Sequence, residues 1–233
     1  MMGKKGGSGG GDYLAFTAVN GPSVFKFASR AGNVLYYSLN NGASWTLLEA
    51  QTDTPTVAEG ETILWKGYCW AGGYGCVTFA VTSSSGFNAS GNVMSLYYGD
   101  NFEGQDTVTY DFQFSILFQA NTWLIDASEM IVPSNYDGHQ HVFTMAFYGC
   151  SRLVAAPALT AAVLTSSCYS NMFLMCSNLA YVKCLATDIS ASQCTNNWLY
   201  YVASSGTFVK AASMTSWPSG GSGIPSGWTI QNE

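Results

Sequence analysis

The chain has 233 residues, 48% of them hydrophobic and 15% aromatic, which is enough to bury a sizeable core in one large all-β domain or two small ones and makes disorder an unsuitable default. Only 9% are Asp, Glu, Lys or Arg, against about 25% in an average soluble domain, so Ser, Thr, Asn, Gly and Tyr must supply most of the surface. A formal charge of -6 with singly scattered bases, Lys4-Lys5 apart, argues against nucleic-acid binding, and no run approaches the roughly 18 apolar residues of a membrane span.

Residues 1–11 place Gly and Ser after two lysines, where an export signal would have its apolar stretch, and read as a flexible tether with nothing that directs export. From Tyr13 onward short apolar runs alternate with turn residues: "YLAFTAV", "SVFKFAS", "VLYYSL", "SWTLLEA", "TILWKGY" and "CVTFAVT". They are rich in β-branched and aromatic residues and are punctuated by Asn-Gly, Gly-Pro and Glu-Gly, which predicts an antiparallel β-sandwich, jelly-roll-like, over residues 12–85. Within it, Asn41-Gly42 between two strands favours a tight hairpin with positive φ. The spacing Ser38-x-Asn40-x-Gly42-x-Ser44-Trp45 resembles the Asp-box hairpin of sialidase propellers, with Asn40 where that motif has Asp. The resemblance implies a structural turn at Asn40, Gly42 and Trp45, and one altered copy implies no sialidase.

Residues 86–113 mix Gly and Asn with apolar residues and read as a connector with a short strand or turn. Asp100, Glu103 and Asp106 in this stretch match no calcium-loop spacing, so solvated turn acids are the plainer reading.

After residue 113 the chain repeats. "MAFYGCSRL" and "NMFLMCSNL" superpose Phe147 on Phe173, Cys150 on Cys176 and Leu153 on Leu179, each 26 residues apart. Cys168 maps onto Cys194 at the same offset, and a weaker copy places Phe118, Asn121 and Leu124 on Phe147, Cys150 and Leu153. Units of this length with recurring Leu, and Cys or Asn at a fixed place, predict a leucine-rich-repeat solenoid over residues 114–200, about three units with a period near 26. Residues 201–233, where the rhythm stops in a Gly/Pro-rich ending, are the natural cap. The expected whole is therefore mainly β, a sandwich followed by a short capped solenoid.

The cysteines follow from the repeat. Zinc sites want pairs two to four residues apart, which none of the seven cysteines provides, Cys69 and Cys76 included, so buried reduced thiols suited to cytosolic folding are expected. Both histidines lie in "DGHQH", where Asp137, His139 and His141 are the one constellation able to ligate a metal or move a proton, although polar residues also belong in a loop between repeats. No metal or cofactor is expected. Nucleophile elbows, phosphate loops and dinucleotide fingerprints are absent, and the acids Glu49, Asp53, Glu59 and Glu61 read as solvated hairpin residues.

The form aromatic-x-x-Cys-x-x-Leu after a short segment with Cys-Tyr resembles the BspA-like leucine-rich repeats of Bacteroidota surface proteins and of virion proteins of phages infecting them, over residues 114 to about 200. The front module, with "YSLNNGASW", "ETILWKG" and "GNVMSLYYGDNF", is similar to the part that precedes such repeats. The resemblance implies a non-enzymatic structural or adhesion protein on a virion surface, with a bacterial cell-surface adhesin or a carbohydrate-active enzyme as alternatives. Its partners would be other virion proteins, met through the N-terminal part, and a host-surface glycan or protein. It would act as a homo-oligomer or as part of a large assembly. Sugar stacking would fall to exposed aromatics, the candidates being Trp65, Tyr68, Trp70, Tyr74, Tyr148, Tyr169 and Tyr181, with core packing as the competing role.

Overall fold

The computed structural model describes residues 12–29, 32–70, 75 and 77–233. Strands dominate: β1 (Leu14–Ala18), β2 (Val24–Ala28), β3 (Leu35–Ser38), β4 (Thr46–Leu48), β5 (Thr62–Gly67), β6 (Thr78–Ser83) and β7 (Phe87–Asn92) precede the one-turn helix α1 (Ser95–Tyr98). They are followed by β8 (Leu124–Ile131), β9 (Tyr181–Cys184), β10 (Gly206–Lys210) and β11 (Trp228–Asn232). The described chain is mainly β, with mixed and antiparallel sheets and no barrel. No described helix is long and apolar enough to cross a membrane.

Each of the six apolar runs carries one of β1 to β6. Six strands form a sheet in the order β4-β3-β5-β1-β7-β8, antiparallel except for the parallel pair β7–β8. Period-two alternation sends Leu14, Phe16 and Ala18 of β1 inward, beside Ile63 and Trp65 of β5 and Phe87 and Ala89 of β7. The antiparallel pair β2–β6 packs its own phenylalanines over them, with Phe25 5.4 Å and Phe79 4.8 Å from the Phe16 ring. Each phenylalanine buried this way contributes about 1.5–3 kcal/mol, so the cluster around Phe16 dominates the front core.

The sheet does not stop at residue 85. Residues 86–113 supply β7, which lies between β1 and β8, and β8 itself belongs to the segment in which the repeat was found. From β8 the parallel pairing continues through the bridges Asp126–Ala155 and Ala155–Tyr181 into the three-stranded parallel sheet β9-β10-β11. The ending expected as a cap extends this ladder through β10 and β11. In the inward column Val182 and Phe208 are fully buried, whereas Ile230 of the outermost strand is half exposed.

Opposite these strands the chain runs in consecutive tight turns with a left-handed residue at every fourth position. Phe112, Ile116 and Ala120 have φ of 59°, 55° and 57°, and the pattern returns at His141, Met145 and Gly149, at Ser167, Asn171 and Met175, and at Gln193, Asn197 and Tyr201. In the first three of these segments each left-handed N–H bonds to the next layer: Ile116 to the Thr144 carbonyl (3.0 Å), Met145 to Ser170 (3.0 Å), Asn171 to Asn196 (2.8 Å). Alternate residues do the same, Phe118 to Ala146, Phe147 to Met172 and Phe173 to Trp198, while the residues between close i to i−3 turns. A left-handed conformation costs an ordinary residue about 1–2 kcal/mol, and these interlayer bonds are what hold so many in it.

Two columns of rings fill the space between turns and strands. Phe79, Phe118, Phe147 and Phe173 stack with centroids 5.8, 5.4 and 5.2 Å apart, which carries the front core into the repeated layers. Beside them Phe114 stacks on Phe143 at 5.2 Å, and Tyr169 on Trp198 at 5.9 Å. Leu124, Leu153 and Leu179 are fully buried.

The repeated Cys/Asn position has a specific task. Asn121, Cys150 and Cys176 each donate to the carbonyl of the phenylalanine one layer back, Phe79 (3.4 Å), Phe118 (3.1 Å) and Phe147 (3.0 Å). Cys168 and Cys194 sit a layer apart on the second column, with the Cys168 thiol 3.8 Å from the Cys194 carbonyl. Cys150, Cys168, Cys176, Cys184 and Cys194 are free and buried. Cys69 corrects the expectation of reduced thiols throughout, because it is disulfide-bonded. It lies in the loop after β5, outside the repeated positions, so the packing argument that fits the other thiols does not reach it.

Candidate functional site

Of the aromatic residues singled out for binding, two are core residues. Trp65 is fully buried on β5, its ring 5.5 Å from Phe16 and 5.1 Å from Phe79. Tyr169 is fully buried in the second ring column and shares a 2.5 Å hydroxyl hydrogen bond with Tyr136. Period-two alternation on β5 and the 26-residue repeat, respectively, put them inside, so neither can meet a ligand. Tyr74 lies outside the described residues.

Tyr68 and Trp70 flank Cys69 in one loop and are 59% and 56% exposed. The loop is pinned: the Asn33 side chain accepts from the Trp70 N–H (3.2 Å) and donates to its carbonyl (3.1 Å), and the Tyr68 ring lies against Gly99, where a Cβ would come within 2.3 Å. Tyr148 sits half-buried on the turn side, its hydroxyl 3.6 Å from the Met175 sulfur, and Tyr181 is 39% exposed on β9.

The Asn40 hairpin joining β3 and β4 has the expected turn chemistry. Asn40 Oδ1 accepts from the Ser44 N–H (3.0 Å) and the Ser38 hydroxyl (2.8 Å), and Ser38 Oγ accepts from the Gly42 N–H (2.9 Å). Asn41 and Gly42 take φ of 55° and 83°. Trp45 then packs on Tyr13 at 4.8 Å and under the Lys66 ammonium at 4.3 Å. Lys66, 8% exposed, donates to both Asp100 oxygens (2.7 and 2.8 Å), and the Tyr13 hydroxyl donates to the same carboxylate (2.6 Å). Those bonds hold the Asp100 carboxyl below its usual range, Lys66 contributing most, while burial first and Asp100 second push the Tyr13 hydroxyl up.

Several other acids accept hydrogen bonds from neutral groups. Asp106 accepts from the Ser134 N–H (2.8 Å) and hydroxyl, Asp53 from Thr82 (2.5 Å), and Glu61 from the Ala58 N–H (3.2 Å). Within "DGHQH" the side chains diverge: His139 meets Asp111 at 3.1 Å, and His141 stacks on Phe112 at 4.3 Å. The Asp111 carboxyl is held below its usual range chiefly by the Gln140 N–H, with His139 adding to it. Among the described residues no three His, Cys, Asp or Glu side chains gather as a metal centre.

Two of the surface clefts among the described residues are lined by tyrosines that reach solvent. One, of about 350 Å³, opens on the outer face of the large sheet between Tyr13, Ser90, Glu129 and Ile131. The other, of about 290 Å³, lies at the end of the last turn segment, where Tyr200 and Tyr201 meet the backbone of Gly220, Gly221 and Gly227. These tyrosines are 46% and 62% exposed. Sequence reasoning passed over them, although the offset of 26 that aligns Cys150 with Cys176 also places Tyr200-Tyr201 on Leu174-Met175, the two residues between the buried Phe173 and Cys176 of the motif.

In comparisons with known proteins, no family model matches the chain, and no curated protein or solved structure matches it significantly.

Proposed function

We propose that the protein is a non-enzymatic structural and attachment protein whose residues 114–200 form a short leucine-rich-repeat solenoid, displayed on the surface of a phage particle. The observation that carries this reading is the layer-to-layer recurrence of one backbone pattern, with left-handed residues at 112, 116 and 120 returning at 141, 145 and 149 and again at 167, 171 and 175. A chain built of stacked layers makes a stiff, quasi-one-dimensional body suited to projecting a surface outward. The Phe79 to Phe173 ring column joins that body to the front core. In this reading the N-terminal part docks on other virion proteins, and the low-charge face rich in Tyr, Ser and Asn meets a host glycan or protein.

The choice of a phage particle rests on the resemblance of the repeat motif to BspA-like virion proteins. A second reading, a bacterial cell-surface adhesin, is favoured by one observation: Cys69 is disulfide-bonded, and such bonds persist in oxidising compartments. Mass spectrometry of gradient-purified phage particles beside the surface fraction of uninfected host cells separates the two. The chain is expected in the particles, and recovery only from the host surface would replace the phage reading with the adhesin.

A further inference from the structure

We propose that the cleft formed by Tyr200, Tyr201 and the loop that follows is a binding site for a single neutral hexopyranose ring. The inference rests on the attachment reading and gives it a ligand class and a location.

The first ground is the tyrosine pair. Their ring centroids are 4.2 Å apart with planes inclined at 60°, so together they present a corner of two aromatic surfaces to solvent. Tyr201 holds φ of 59°, a conformation unfavourable for a bulky side chain, at a position that earlier layers fill with Ala120, Gly149 and Met175. The stack therefore does not require tyrosine there.

The second ground is the opposite wall, which is bare backbone. A Cβ at Gly221 would come within 2.4 Å of the Tyr200 ring, and one at Gly227 within 2.0 Å of the Ser204 carbonyl, so glycine at both places lets the loop pack against the tyrosine segment without a side chain filling the cleft. The hydroxyls of Ser204 and Ser226 stand at the same cleft, and no charged side chain lines it. A pyranose matches each element: its C–H face lies on a tyrosine ring, and its hydroxyls bond peptide groups and serines. A carboxylate or phosphate ligand would find no cation. At about 290 Å³ the cleft is at the lower end of ligand pockets, which suits one ring.

The test uses the full chain and saturation-transfer NMR with methyl α-mannopyranoside, methyl β-galactopyranoside and methyl β-glucopyranoside. At least one should receive saturation on its ring C–H protons. Tyr200→Ala and Tyr201→Gly should each weaken that binding about tenfold or more. Glycine suits the φ of residue 201, so Tyr201→Gly tests the ring without endangering the fold. Tyr110→Ala, an exposed ring outside the cleft, should leave the signal unchanged. No transfer to any of the three sugars, or transfer that survives both substitutions, overturns the inference. Its failure is distinct from failure of the attachment reading: a chain found in particles but silent in NMR ends only the sugar site, and a sugar signal lost in Tyr201→Gly from a chain absent from both particles and host surface upholds the site and ends the other.

Discussion

Cys150 and Cys176 do with a thiol what Asn121 does with an amide, bonding back to a phenylalanine carbonyl of the preceding layer. The sequence shows that Cys and Asn are interchangeable at this place, but not why, because the acceptor is backbone and leaves no trace in residue identity. Cys176→Ala should therefore lower stability by about 1–3 kcal/mol in urea unfolding, from lost volume and a lost donor. Burial pushes the Cys150 and Cys184 thiols up to about 12 and raises Cys168, Cys176 and Cys194 as well. A disulfide-exchange reagent at pH 8 should leave all five silent in the native protein and modify them on unfolding, with Cys69 reacting only after reduction. Since the folded pKa lies above the unfolded one, this contribution to stability is full below about pH 9 and is lost as pH rises toward about 12. The slope is about 1.4 kcal/mol per pH unit for each such thiol, readable from unfolding midpoints between those limits.

At the scale of elements, the strands of the front half are legible because alternation and turn residues agree, and the Asn40 hairpin is legible because its donors and acceptors lie within one short motif. The turn segments are not. Their left-handed positions are occupied by Phe112, Ile116, Met145 and Met175 instead of glycine, so no local signal marks them, and the interlayer bonds that impose the conformation come from residues 25 to 28 positions away. This gives a prediction with an inverted sign. Ala120, exposed at φ 57°, should gain about 0.5–1 kcal/mol when replaced by glycine, and Gly149→Ala, at φ 73°, should lose a similar amount, both measured by thermal or urea unfolding. An ordinary Ala→Gly substitution would destabilise.

For the whole molecule, composition and repeat suggest a module followed by a solenoid, yet β7, inside the expected connector, pairs with β1 on one side and β8 on the other, and Arg152 reaches back to the Ser85 carbonyl (2.8 Å). Such pairing between distant segments has no sequence period of its own. Trp65 in the front and Trp198 in the back belong to one contiguous apolar cluster. Unfolding followed by tryptophan fluorescence and by far-ultraviolet circular dichroism should therefore give one coincident transition. A chain ending at residue 113, lacking β8 and Phe118, should fail to fold. The tyrosine cleft was legible only in outline: the repeat offset locates Tyr200-Tyr201, but the glycine wall facing them comes from the irregular ending. The most direct measurement for the account as a whole is immunogold labelling of intact, gradient-purified phage particles with antibodies raised separately against residues 12–85 and residues 114–200. Labelling of intact particles by the second antibody, and by the first only after disruption, is the predicted result. Particles labelled by neither, or by the first alone while intact, would contradict a front module that docks and a repeat body that projects.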